Sequence, residues 1–98
     1  MRNAKAGRAS RVQAELVNFL NIDLDTAFTF LYGADLDRDT DQAYAALIVD
    51  RALHSLYTIH YFARRVQDPE QRSAIEARAA ELAAAIRDRT PRAVSKGE

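Results

Sequence analysis

DPEQRSAIEARAAELAAAIRDRTP, residues 68–91, contains both ends and the seam of one helix. Asp68 supplies an N-cap side chain, and Pro69 sits where its missing N–H costs nothing. Glu70 puts an acid in the first turn and Gln71 stands at the third helical position. Pro91 stops the helix behind Arg89 or Thr90. Between these signals Ile75, Ala79, Leu82 and Ile86 recur at helical spacing. So narrow a stripe fits one groove, which predicts a helix lying on a pair of others. Arg72 and Glu76 are spaced to form a surface pair worth roughly 0.2–0.5 kcal/mol.

Upstream, Ile48, Ala52, Leu56, Ile59, Ala63 and Val66 repeat in the same steps, so a second helix is predicted from Asp39 or Thr40, as N-cap, to about Val66. The spacing of Val12, Leu16, Leu20, Leu24, Ala27, Phe28 and Leu31 predicts a first helix over 11–32. Ser10 and Gln13 form a capping box at its start, and Gly33 is a natural residue just past its end. A break is expected near Asn21–Asp23, where polar residues cluster. Residues 1–9 read as a basic, Ala-rich flexible arm and 91–98 as a flexible tail. The fold class that follows is all-α. Residues 10–90 form one three-helix antiparallel up-down bundle, a helical hairpin plus a third packing helix, able to dimerise into a larger bundle.

Composition narrows the chemistry. The chain has 98 residues, 48% of them apolar, and no cysteine. Disulfides, thiolate zinc sites and cysteine nucleophiles are therefore excluded. No apolar run approaches the ~18–20 residues that cross a bilayer, and no apolar core follows the basic N-terminus, so a cytoplasmic location is expected. Arg-rich, Ala-rich usage points to a bacterial source. The net charge is zero but unevenly placed. Residues 1–22 and 51–66 are basic, and residues 23–50 contain seven Asp against one Arg. Zero net charge argues against nucleic acid as the main partner.

Candidate constellations fail on spacing. Asp35, Asp37 and Asp39 alternate like the start of a calcium loop, but the diagnostic Gly and Glu positions hold Thr40 and Ala46. His54 and His60 lie about 120° apart on a helix and cannot share a metal, although Asp50 and His54 are spaced to pair. No Gly-rich phosphate loop is present. No cofactor and no metal are expected.

The second helix has more apolar circumference than one neighbour needs. Beside its core stripe run Ala46, Val49, Leu53, Tyr57, His60, Tyr61 and Arg64. The plain explanation is contact with the third helix. The sharper one makes Val49, Leu53, Tyr57, His60, Tyr61 and Arg64 an interface, because Tyr and Arg are the residue types of interface hot spots. The aromatic side of the first helix, with Phe19, Phe28, Phe30 and Tyr32, is expected to join it. Asp23 falls between apolar positions of the first helix, which makes it a candidate buried polar residue that needs a partner.

Asn21-Ile22-Asp23-Leu24-Asp25-Thr26-Ala27-Phe28-Thr29-Phe30-Leu31, followed by a helix with Ala52 and Tyr57, resembles small uncharacterised bacterial helical proteins. The resemblance implies a helical hairpin with a third helix and no activity. The functional expectation is a non-catalytic interaction and homodimerisation module. The alternatives are a regulatory protein that binds another chain and a ligand-binding or catalytic bundle centred on Asp23 with His60 or Arg64.

Overall fold

A computed structural model describes residues 3–90, with side chains described from residue 10 onward. Three helices follow one another: α1 (Asn3–Asp37), α2 (Gln42–Ala63) and α3 (Pro69–Arg89). All three pack against each other, and the all-α three-helix bundle is as expected. The tail expected at 91–98 lies outside the described residues.

The start of α3 matches its sequence signals. Asp68 caps it by accepting from the Glu70 backbone N–H at 3.0 Å, with Pro69 at the first helical position. Thr90 ends it in an extended conformation, as a residue before proline prefers. Arg72 does not pair with Glu76 as expected. Its guanidinium turns back to donate to the Val66 carbonyl at 2.7 Å, satisfying the α2–α3 turn.

α1 is longer than the capping signals suggest. It begins at Asn3 and passes through Ser10, so Ser10 is not its N-cap and the expected arm is helical backbone from Asn3. Strong helix formers, Ala4, Lys5, Ala6, Arg8 and Ala9, outweigh a local cap signal there. The helix does not break at Asn21–Asp23. Asn21 Nδ2 donates to the Val17 carbonyl at 3.1 Å and Thr29 Oγ1 to the Asp25 carbonyl at 2.9 Å, so these polar side chains bond back onto the helix. Gly33 is interior, not terminal, and takes no positive φ.

The α1–α2 connection is accordingly short. Asp41, not Asp39 or Thr40, caps α2 by accepting from the Tyr44 N–H at 2.9 Å. α2 ends at Ala63, three residues before the expected Val66. Gln13 bridges the next turn, donating Nε2 to the Arg65 carbonyl at 3.1 Å and accepting the Gln67 N–H at 2.8 Å. Gln13 is thus level with the α2–α3 turn, and α1, about 52 Å long, projects past its partners before it. The radius of gyration, 17.1 Å, exceeds the ~13 Å of a compact chain this size for that reason.

The core is one cluster drawn from all three helices. Leu20, Leu24, Ala27 and Leu31 come from α1, and Ala52, Leu56, Ile59 and Ala63 from α2. Val66 follows in the turn, and Ile75, Ala79, Leu82 and Ile86 come from α3. Four core alanines let the helices approach closely. Val12, placed on the core face by its spacing, is 57% exposed, because it lies before the level of the α2–α3 turn.

Polar ties fix α3 to α1. Arg78 donates to Asn21 Oδ1 at 3.0 Å and to Asp25 at 2.7 Å. Arg89 grips Asp35 with two bonds of 2.9 and 2.8 Å, and Arg38 adds a third at 2.8 Å. The Arg89 hydrogen bonds, with the charges of Arg89 and Arg38, hold the Asp35 carboxyl below the usual carboxylate range. A carboxylate favoured in the folded state stabilises above its unfolded pKa, and that contribution is lost as pH falls through ~4 and below. Asp35→Asn is expected to cost about 1 kcal/mol at pH 7, since the pair is bidentate but partly solvated. The difference from wild type closes by about pH 2–3, as urea melts across pH would read.

Candidate functional site

The outer face of α2 collects the residues that the core does not absorb. Val49 and Leu53 are half-buried and pack against the core. Tyr57 and Tyr61 remain 61% and 49% exposed, and His60 and Arg64 are exposed beside them. The N-terminal half of the stripe is thus partly covered, and its C-terminal half is open. Tyr57, His60, Tyr61 and Arg64 border a shallow concavity whose far wall is Glu76 of α3.

Tyr61 is held in place. Its ring meets Phe62 edge-on at 4.9 Å, and Phe62 meets Phe19 of α1 edge-on at 6.2 Å. The Arg65 guanidinium lies 5.1 Å from the Tyr61 ring centre and donates to its hydroxyl at 3.0 Å, and Arg64 lies 5.6 Å from the same ring. A ring fixed this way loses less freedom when a partner covers it. Phe62 and Arg65 were not legible as members of this cluster from the apolar stripe alone. Their signal was aromatic and basic residues adjacent in sequence at a helix end.

Of the aromatic side of the first helix, only Phe19 joins these rings. Phe28 and Phe30 are half-buried, and Tyr32 is 62% exposed.

At the opposite end of α2 an apolar cleft of about 700 Å³ opens towards the end of α3. Ala45, Ala46, Val49, Leu53 and Ile86 line it, with Arg38, Asp50 and Arg89 at its polar margin. Val49 and Leu53 belong to both surfaces, so cleft and tyrosine face form one continuous strip.

Charge is polarised along the same axis. Asp35, Asp37, Asp39 and Asp41 gather where α1 ends and α2 begins. Arg64 and Arg65 sit at the far end of α2, near Arg72. His54 Nδ1 meets the Asp50 backbone carbonyl at 3.0 Å and lies 3.5 Å from the Asp50 carboxylate, so the two residues sit side by side on the exposed face. Among the described residues, no three His, Asp or Glu side chains cluster as a metal site would need.

Asp23 is half-buried, not buried, and it forms none of the hydrogen bonds or ion pairs found among the described residues. Arg78 of α3, which reaches that stretch of α1, goes to Asn21 and Asp25 instead. Asp23 lines neither the cleft nor the concavity, so the arrangement gives no support to a bundle site centred on it. Desolvation raises its carboxyl above the ordinary carboxylate value. A group whose pKa rises on folding favours the fold below its unfolded pKa and disfavours it at neutral pH. Asp23→Asn is expected to stabilise the protein slightly at pH 7, by less than about 1 kcal/mol because the carboxylate is still partly solvated. In thermal melts that gain should vanish below about pH 3. An equal gain at both pH values would contradict a desolvated carboxylate.

No helix among the described residues is long and apolar enough to cross a membrane. Compared with known protein families, curated proteins and solved structures, the chain matches none.

Proposed function

We propose that this protein is a non-catalytic interaction module that associates with a second copy of itself through the outer face of α2. The observation behind this reading is a pair of exposed tyrosines, Tyr57 and Tyr61, in line with half-buried Val49 and Leu53 on one helix face. Isolated exposed apolar residues are ordinary, but a contiguous strip rimmed by charge is what an interface needs. A small three-helix domain also gains core by pairing. Light scattering is expected to give twice the 11.0 kDa chain mass at micromolar concentrations. A monomer that stays monomeric into the high-micromolar range would contradict self-association. The second reading is a regulatory protein whose α2 face receives another chain. The apolar cleft favours it, because Val49 and Leu53 extend the strip into an apolar recess, and such recesses are where helices and peptides dock.

A further inference from the structure

The outer stripe of α2 has a two-fold pattern centred on Tyr57. Asp50 and Arg64 stand seven residues before and after it, Leu53 and Tyr61 four, and His54 and His60 three. Seven residues are nearly two turns, so Asp50, Tyr57 and Arg64 share one face. We propose that a second copy of this chain lies antiparallel along α2, with the two-fold axis crossing at Tyr57. This rests on the self-association reading above and adds its polarity and register.

Charge complementarity selects this arrangement. In this register Asp50 meets Arg64 of the second copy, and two-fold symmetry repeats the pair. Leu53 meets Tyr61 of the second copy, and the two Tyr57 rings meet on the axis. Both charged groups are available. The Asp50 side chain is 57% exposed, and among the described residues only His54, at 3.5 Å, comes within ion-pair distance of it. Arg64 is exposed, leans over the Tyr61 ring and has no carboxylate partner among the described residues. The acidic α1–α2 connection of each copy then points towards the end of the other that holds Arg64 and Arg65. A parallel pairing would set Asp50 against Asp50 and Arg64 against Arg64, which like-charge repulsion disfavours.

The test is a charge swap in the full chain, read by analytical ultracentrifugation, with circular dichroism to verify folding. Asp50→Arg alone and Arg64→Asp alone each place like charges together twice. Each is expected to weaken the homodimer about tenfold or more. An equimolar mixture of the two restores both attractions, so a mixed dimer of near wild-type affinity is expected. A wild-type dimer whose single variants associate normally, or whose mixture shows no rescue, overturns this register and leaves self-association standing. A wild-type chain that is monomeric at about 100 μM overturns both.

Discussion

Leu24→Ala is expected to lower the free energy of unfolding by about 3 kcal/mol, within the 2–5 kcal/mol range of such truncations. Leu24 is fully buried near the middle of α1, with Leu20, Ala27 and Leu31 on the same face. The loss has two parts. The removed methyl groups forfeit their transfer free energy, and the space they leave keeps part of its volume. Refilling is poor here because Ala27, Ala52, Ala63 and Ala79 are short and cannot swing into a void. For a domain whose whole stability is on the order of 5–10 kcal/mol, that is roughly 30–60% of the total. A urea melt should show a lower midpoint at unchanged slope. Leu36→Ala is the control: Leu36 is 83% exposed, and its truncation should stay within about 0.5 kcal/mol.

Tyr57→Glu is expected to weaken self-association at least 100-fold while leaving the stability of the monomer within about 0.5 kcal/mol. Its side chain is 61% exposed and belongs to no core cluster, so the fold loses little. The interface loses an aromatic anchor and gains a carboxylate, and a two-fold dimer suffers both twice. Melting supplies a second readout. A dimer makes the melting temperature rise with concentration, and Tyr57→Glu should flatten that dependence. Unchanged sedimentation would show that the tyrosine face is not where copies meet.

Much of the fold was legible in the sequence where local and tertiary signals agree. Asp68 and Pro69 start α3 because capping and the seam of Ile75, Ala79, Leu82 and Ile86 demand the same boundary. Ser10 misled because a capping box competes with an upstream run of helix formers, and a helix already under way passes through a serine. Gly33 misled for a related reason: a C-terminal glycine needs a positive φ, and here α1 continues for another turn to reach the connection before Asp41. Asn21 lies where a break was expected, yet its amide is tied to Val17, and Arg78 of α3 bonds its carbonyl oxygen from across the bundle. Partners so distant in sequence leave no periodic trace, and the Arg89–Asp35 clasp was hidden in the same way. The α2 stripe was legible as excess apolar circumference. Its division into a half-buried part at Val49 and Leu53 and an open tyrosine part depends on packing, which spacing does not encode.

The most direct test of the account is an amide chemical-shift dilution series of the wild-type chain. If copies meet on the outer face of α2, concentration-dependent shifts should concentrate at Asp50, Leu53, Tyr57, His60, Tyr61 and Arg64. Ile22 and Leu36, exposed on α1, should not move. Spectra that do not change with concentration, or shifts centred on Ile22 and Leu36, would contradict it.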